Sequence, residues 1–429
     1  MQRRNFLKLA SAMAATRVVP VAFGVTALAQ NAYAASPNYN GVKITLPTVM
    51  PQVINIHMYG GASELAGNLS NITDININSM NDYSANNAFG SGILTAADDN
   101  DPAARLNGGQ VTANGFWKAA GGTHMEDMIT SRDMTVYRTM FKQKSPTRSH
   151  RESIFMSHKG TLDIENSPGI GSRLALMMLE HESSYVEANL ADGTKMGNLD
   201  GLTLPFISFE GDTQTYALDP SHPLPLSLRG LTMDDQFNNP YSRNFEGYNS
   251  ASNGDSEDVI ASLLASMESG DARFSAANNG FKKREELEAK MEDLSGLLNG
   301  SDENGNQSSA ENLGLPLQYR IRNGVPTSVY PDTAFARQLE SAVTLAIHNP
   351  QTLYMAVGTP GLGGWDDHNN GIDRYRNRMN DLMEAIKVAM AHIKAATQGV
   401  TTISGTNRTQ TDNIIINVMG DFGRLVNLN

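Results

Sequence analysis

The chain of 429 residues contains no cysteine, which excludes disulfide bonds, thiolate metal sites and cysteine nucleophiles. It also lacks stripes of lysine and arginine interleaved with aromatic residues, and its formal net charge is -12. We therefore expect no nucleic-acid partner. Hydrophobic residues make up 40% of the sequence, so the chain is able to bury a large core, and its 38 glycines predict long loops.

The N-terminal segment, residues 1–34, has the features of an export signal. The run RRNFLK at residues 3–8 heads a weakly apolar stretch that ends in Ala-Tyr-Ala at 32–34, an A-x-A pattern typical of a cleavage site. The arginine pair with its phenylalanine, leucine and lysine resembles the twin-arginine signal. Because Arg17 and Pro20 interrupt the apolar stretch, we expect cleavage after residue 34 and no retained membrane span. The mature chain is thus expected to be periplasmic or secreted, after passage through the twin-arginine export machinery.

Residues 352–368, TLYMAVGTPGLGGWDDH, join a short apolar run to a glycine-rich turn that ends in Asp366, Asp367 and His368. The apolar run, residues 353–357, has the length of a buried strand. In an open α/β sheet, ligands bind beyond the carboxyl ends of the strands, so these side chains are candidate ligands of a divalent metal ion. The alternative is a solvated turn in which an aspartate caps the next helix.

A second predicted strand, residues 413–419, leads directly into Gly-Asp-Phe-Gly-Arg, which supplies Asp421 and Arg424. The carboxyl ends of parallel strands meet at one edge of a sheet, so we expect Asp421 to lie near Asp366 and His368. Alternatively, Asp421 and Arg424 form a structural ion pair under the sheet edge.

A third predicted strand, residues 53–59, is followed by Gly60 and Gly61 and then by Ser63. Ser63 is a candidate nucleophile or ligand at this strand end, or the cap of a following helix. His57 lies among apolar residues inside the strand, which is typical of a buried core histidine.

Two further patterns bear on the site. Residues 202–209 predict an edge strand, because Pro205 within the run cannot donate a ladder hydrogen bond. His150 and His158 fall on neighbouring parts of one face of a helix predicted to follow Ser149.

The remaining chain predicts one α/β domain over residues 41–429 with two insertions. Residues 68–125 are rich in Asn, Ser, Gly and Asp with little periodicity, which indicates a long loop-rich insertion. Residues 234–312 contain two helical patterns between polar loops and are interpreted as a helical insertion. Amphipathic helices predicted over 333–348 and 373–396 flank the apolar run at 353–357.

Taken in order, these motifs resemble one protein family. The twin-arginine start, a strand followed by Gly-Gly, a strand followed by Gly-Gly-Trp-Asp-x-His at 363–368 and a strand followed by Asp-Phe-Gly-Arg at 421–424 are similar to the exported domain of unknown function 1501 family. That family belongs with alkaline phosphatase and sulfatase-like proteins.

The resemblance implies a three-layer α/β/α sandwich with a mostly parallel sheet and a divalent metal site at the strand ends. By this analogy Asp366, His368 and Asp421 would be metal ligands. Arg424 would neutralise developing charge, and Ser63 or a metal-bound water would attack the substrate.

The chain departs from the family pattern in three places. The usual Gly-Gly-x-Asp turn is Gly-Gly-Ala-Ser at 60–63, and Asp367 replaces the usual threonine. The sequence ends at Asn429, whereas family members continue to a Gly-Thr-Asp-His-Gly motif. We therefore expect a C-terminal part, with a further aspartate and histidine of the site, to be missing.

Two functions fit these observations. The first is a metal-dependent hydrolase of phosphate or sulfate esters, in which zinc, manganese, magnesium or calcium polarises the ester or lowers the pKa of a bound water. The second is a non-catalytic exported binding or surface-assembly protein on the same scaffold, favoured by the missing carboxylate at Ser63 and the Asn-rich insertion, because a fold does not establish activity. The first requires Asp366, His368 and Asp421 to converge.

Overall fold

The computed structural model describes most of the predicted domain. The described residues are 46–47, 49–60, 112–114, 116, 118–137, 147, 149–237, 262–269, 275–299, 321–322, 325–326, 330–366, 371–396 and 410–421. Within them the chain has an α/β fold, with a five-stranded, all-parallel sheet flanked by helices. The predicted signal segment, residues 1–34, lies outside the described residues.

The described part of the chain contains seven strands. They are β1 (Gln52–Met58), β2 (Phe206–Ser208), β3 (Leu231–Thr232), β4 (Ile321–Arg322), β5 (Val325–Pro326), β6 (Tyr354–Val357) and β7 (Ile414–Gly420). The main sheet has the order β3-β2-β6-β1-β7, and β4 and β5 pair antiparallel in a separate two-stranded sheet.

The helices are α1 (Gly122–Thr130), α2 (His150–Lys159), α3 (Ile170–Glu180), α4 (Glu182–Tyr185), α5 (262–269), α6 (Ser275–Asn299), α7 (Ala334–His348) and α8 (Gly371–Ala396). Short 3-10 turns occupy Lys118–Ala120, Leu199–Gly201, Gln214–Tyr216, Leu226–Leu228 and Gln410–Asn413. In the described ranges, no helix has both the length and the apolar character that crossing a membrane requires.

The central strands are apolar because both faces of the sheet are covered. On one face Ile54 and Ile56 of β1 belong to a core that includes side chains of α1, α6, α7 and α8. On the other face Val53 of β1 and Tyr354 of β6 belong to a second core, built mainly with α3 and the chain after it. Successive side chains of a strand point to opposite faces, so this alternation follows directly from strand geometry.

The register of the sheet aligns three strand ends that the sequence predicts to be neighbours. Asn55 of β1 is paired with Ala356 of β6 on one side and with Asn417 of β7 on the other. The side chain of Asn417 donates a hydrogen bond of 2.6 Å to Oδ1 of Asn55. The predicted strands at 53–59, 353–357 and 413–419 are thus confirmed to within a residue, and their carboxyl ends share one edge.

The prediction of an edge strand at 202–209 is wrong. β2 is shorter and lies inside the sheet, between β3 and β6. Pro205 precedes the strand, and its carbonyl oxygen accepts hydrogen bonds from the backbone nitrogens of Leu353 and Tyr354. The missing N–H of proline therefore falls outside the ladder, so an interior position costs no hydrogen bond.

Candidate functional site

Residues that come after four of the strands meet at the carboxyl edge of the sheet. Tyr59 and Gly60 follow β1, Glu210 follows β2, Asp366 lies in the loop after β6, and Asp421 follows β7. They meet because all these strands run parallel, which places every carboxyl end on the same side. Helix α2 lies against this edge, and the hydroxyl of its residue Ser153 donates a hydrogen bond to the backbone carbonyl of Asp421.

Asp421 is fully buried between β1 and α2, with 0% of its surface exposed. Its Oδ2 accepts a hydrogen bond of 3.0 Å from the backbone N–H of Gly60 and lies 2.9 Å from Nδ1 of His150. Its Oδ1 lies 3.8 Å from Nε2 of His57, another fully buried side chain. A buried carboxylate is costly unless its oxygens are compensated, and the Gly60 N–H and the His150 ring supply hydrogen-bonding contacts to Oδ2.

Asp366 reaches the same imidazole from the other side. Its Oδ1 lies 3.4 Å from Nε2 of His150, and its side chain is 39% exposed. The loop is held in place by the preceding residue, Trp365, whose backbone N–H donates to the carbonyl of Tyr59 and whose buried indole N–H donates to Oγ1 of Thr359. The ring of His150 therefore lies between an exposed carboxylate and a buried one.

The structure thus brings two of the five predicted site residues together. Asp366 and Asp421, which are far apart in sequence, contact opposite nitrogens of the His150 ring. His368, Ser63 and Arg424 lie outside the described residues, and their roles stay predictions. The alternative ion pair between Asp421 and Arg424 is untested for the same reason.

The donor types at this edge fit a divalent metal ion, whereas the described geometry supplies only part of a ligand set. Carboxylate oxygens and imidazole nitrogens suit zinc, manganese, magnesium or calcium. Because Asp366 and Asp421 contact opposite nitrogens of His150, they do not converge on one point. Over the described ranges no group of three or more His, Asp or Glu side chains is arranged to hold a metal ion. A complete ligand set therefore requires a residue beyond them, such as His368.

A second polar cluster lies beside the first, at the ends of β1 and β2. The hydroxyl of Tyr59 donates a hydrogen bond of 2.8 Å to Oε2 of Glu210 and lies 3.4 Å from Nε2 of His158. The other carboxylate oxygen of Glu210 lies 3.9 Å from Nδ1 of His158. That nitrogen is also within hydrogen-bonding distance of the hydroxyls of Thr213 and Thr215, at 2.8 and 2.7 Å.

Burial dominates the electrostatics of this second cluster. It raises the pKa of Glu210 above its ordinary value, although hydrogen bonds from Thr213 and Tyr59 act in the opposite direction. Burial, with the nearby Glu210 charge, also raises the pKa of Tyr59 far above its ordinary value. Both shifts favour the neutral form, because taking a charge out of water is unfavourable.

His57 joins the two clusters. Its ring centroid lies 4.5 Å from that of His158 and 4.6 Å from that of Tyr59, and its Nε2 faces Asp421. The sequence indicated an ordinary core histidine at this position. His57 is buried as expected, but it is packed among titratable side chains.

The sequence identified few of these partners. Tyr59 comes directly after β1 and Glu210 two residues after β2, and a position just beyond a strand end is a signal by which both could have been found. His150 and His158 gave a weak signal through their shared helical face, which the structure places against the sheet edge.

A cavity of about 280 Å³ opens beside this edge, beyond the ends of β2 and β3. Its lining includes Thr213, which contacts His158, and also Ser208, Gly211 and Thr232. The second cluster therefore lies next to a space that is large enough for small polar molecules.

Comparison with protein-family models, with curated proteins and with solved structures finds no match to this chain. The fold and the side chains define its class: an α/β protein whose five-stranded parallel sheet carries acidic and imidazole groups along its carboxyl edge.

Proposed function

We propose that this chain is an exported, divalent-metal-dependent hydrolase of phosphate or sulfate esters with a three-layer, alkaline phosphatase-like fold. The observation that carries the proposal is the approach of Asp366 and Asp421, from two different strand ends, to the single imidazole of His150. Carboxylates and imidazoles gathered at the carboxyl ends of parallel strands are typical of ligand and metal sites in α/β proteins. The resemblance of the flanking motifs to an exported phosphatase-like family adds support.

By the resemblance, Asp366, Asp421 and His368 would hold the metal ion. Such a site requires the carboxylates of Asp366 and Asp421 to turn from the opposite nitrogens of His150 towards a common point. When bound, such an ion polarises the ester oxygen or lowers the pKa of a bound water. The protein's own contribution is orientation. The N–H of Gly60 and the ring of His150 fix the Asp421 carboxylate, and the same ring positions Asp366. Burial of Asp421 strengthens every electrostatic interaction that it makes.

Two further residues have roles that come from the resemblance. Arg424 follows Asp421 closely in sequence and would neutralise negative charge that develops on the ester oxygens. Ser63, or a water, would be the nucleophile. We also propose that residues 1–34 direct export through the twin-arginine route, which delivers the mature chain to the periplasm or beyond.

The test combines metal content with ester turnover. Purified protein is dialysed against zinc or manganese, bound metal is counted, and aryl phosphate and aryl sulfate esters are then screened. We expect Asp421→Asn to weaken metal binding by more than about 100-fold, because loss of a ligand exceeds the 10–100-fold effect typical of residues that only support one. Turnover should fall in parallel.

Asp412→Asn is the matched control, because Asp412 is exposed and lies before β7, at the opposite end of the same strand. It should retain the metal affinity of the parent protein. A parent protein that binds neither metal and hydrolyses no ester contradicts the hydrolase and favours a non-catalytic binding or surface-assembly protein. Equal metal binding by the Asp421→Asn variant and the parent contradicts the assigned site.

A further inference from the structure

The hydrogen bond between Tyr59 and Glu210 connects a partly exposed hydroxyl-bearing residue to a carboxyl group held away from water. Tyr59 is partly exposed, whereas the Glu210 side chain is only 6% exposed. The bond joins the ends of two strands, β1 and β2, that are not neighbours in the sheet, since β6 lies between them. Tertiary structure therefore places the two side chains together, and their hydrogen bond is not an incidental contact on the solvated surface.

Glu210 is surrounded by three phenol groups and one imidazole. Tyr59 faces it from the end of β1, His158 from α2, Tyr354 from β6, and Tyr216 from the 3-10 turn after β2. The three phenols are uncharged at neutral pH, because burial raises the pKa of each above its ordinary value. A carboxyl group in such surroundings retains its proton to a higher pH than an exposed glutamate does.

The cluster also lies close to the carboxylates of the proposed metal site. Tyr59 immediately precedes Gly60, whose N–H binds Asp421. On the other side, His158 contacts Thr213, which lines the neighbouring cavity. A proton held by Glu210 therefore has a path towards the site through Tyr59 and a path towards the cavity through Thr213, which is hydrogen-bonded to Glu210.

We propose that Tyr59 and Glu210 form a proton relay that protonates the leaving group of the ester, with Tyr59 as the residue that touches the substrate. The inference rests on the proposed hydrolase function and deepens it. Glu210 supplies the proton, and His158 is a positioning residue whose ring contacts the hydroxyls of Tyr59 and Thr213.

The proposed step conserves atoms, electrons and protons. The oxygen of the attacking water forms a bond to phosphorus or sulfur, and the bond from that atom to the leaving oxygen breaks. When Glu210 is protonated, its O–H donates to the Tyr59 oxygen and the Tyr59 hydroxyl turns towards the substrate, which reverses the observed hydrogen bond. The leaving oxygen keeps the bonding electron pair and takes the proton of the Tyr59 hydroxyl, while Tyr59 takes the proton of Glu210. The proton lost by the attacking water is released to solvent, and the Glu210 carboxylate takes up a proton from the cavity through Thr213, which restores the starting state.

This chemistry predicts a dependence on the leaving group. An acid catalyst matters most when the departing oxygen is strongly basic, as in phenyl esters, and least when it is a stable anion, as in p-nitrophenyl esters. In Glu210→Gln and Tyr59→Phe we expect kcat for phenyl esters to fall by about 100-fold, within the 10²–10⁴-fold range of general acid catalysis, and kcat for p-nitrophenyl esters by only about 3-fold.

The pH profile supplies a second readout. The relay needs Glu210 protonated, so activity on phenyl esters should fall as pH rises through the raised pKa of Glu210. This limb of the profile should be absent in Glu210→Gln. Metal content should equal that of the parent protein in both variants.

Two substitutions elsewhere control for the loss of a buried polar group. Glu340→Gln changes a buried glutamate of α7, and Tyr185→Phe removes a buried phenol hydroxyl in α4. Neither should alter the leaving-group dependence. If Glu210→Gln and Tyr59→Phe lower kcat equally for all leaving groups, or leave the pH profile unchanged, the relay is wrong while the hydrolase stands. If the parent protein hydrolyses none of the esters, both proposals fail.

Discussion

At the scale of single residues, the position of the Asp421 carboxylate and the backbone conformation of Gly60 depend on each other. Gly60 has φ of +126°, a conformation that side-chain-bearing residues rarely adopt, and its N–H points to the Asp421 carboxylate. A Cβ atom at Gly60 would lie 2.6 Å from the carbonyl carbon of Trp365 and closer still to the nitrogen of Asp366. The absence of a side chain thus allows the loops after β1 and β6 to touch, which brings both carboxylates to His150.

Gly60→Ala should therefore destabilise the protein through two effects. The unfavourable φ costs about 1–3 kcal/mol. The collision with the backbone of Trp365 and Asp366 adds about 1–3 kcal/mol, as for other overpacked sites. Urea denaturation followed by circular dichroism measures the sum as a loss in the free energy of unfolding.

Gly197→Ala separates the two effects. Gly197 also has a positive φ, of +68°, but a Cβ atom there would meet no other atom within 4 Å. Its substitution should cost only the conformational part, about 1–3 kcal/mol. Equal losses in the two variants would show that the contact between the loops after β1 and β6 is not as tight as the structure indicates.

At the scale of elements, helix α2 positions the imidazoles of His150 and His158 at the site. Its start is set by the side chain of Ser149, which accepts a hydrogen bond from the backbone N–H of Glu152. The helix ends at Gly160, which adopts the left-handed conformation with φ of +62°. Between these two ends, His150 faces Asp421 and His158 faces the Tyr59 and Glu210 pair.

Ser153→Ala should loosen this helix from the sheet. The Ser153 side chain is fully buried and bonds the carbonyl of Asp421, so the substitution leaves that acceptor without its hydroxyl donor. We expect a loss of about 1–3 kcal/mol in the free energy of unfolding. Thermal or urea denaturation checks the value.

Ser157→Ala is the control on the same helix. The hydroxyl of Ser157 donates to the carbonyl of Ser153, within α2, so this bond does not tie the helix to the sheet. Its removal should change stability by no more than about 0.5 kcal/mol. A Ser157→Ala variant that is as destabilised as Ser153→Ala would contradict the docking role of Ser153.

At the scale of the whole molecule, the sheet is assembled from segments that span nearly all the described chain. Its interior strand β1 pairs with β6, which begins about 300 residues later, and with β7, which begins about 360 residues later. The β1–β7 register joins Gln52 to Ile414. The helices between the strands cover both faces of the sheet, so neither core is complete until distant segments have come together. We therefore expect no part of the described domain to be stable when the rest is unfolded.

This architecture predicts a single cooperative unfolding transition. Trp365 is fully buried in the loop after β6, and in a Trp117→Phe variant it is the one remaining tryptophan of the two. Its fluorescence and the far-ultraviolet circular dichroism should report coincident urea transitions, because loop and sheet unfold together. Two separate midpoints would show that the loop carrying Asp366 opens independently of the sheet.

Much of the sheet could be predicted because its information is local. The apolar runs at 53–59, 353–357 and 413–419 read as strands, and the parallel arrangement placed Asp366 and Asp421 at one edge before any contact was known. The position of β2 could not be predicted, because an interior strand after Pro205 and an edge strand containing it have nearly the same sequence pattern. His368, Ser63 and Arg424 lie outside the described residues and remain predictions.

The sequence alone determined three strands of the main sheet, the two helices that flank β6 and the two aspartates at strand ends, since hydrophobic periodicity and glycine turns act over a few residues. Only the tertiary structure decided that His150 stands between those aspartates and that Tyr59 bonds Glu210 across an intervening strand. These contacts join segments remote in the chain, and they depend on how α2 packs against the sheet edge. Packing of that kind is fixed by the shape of the whole core.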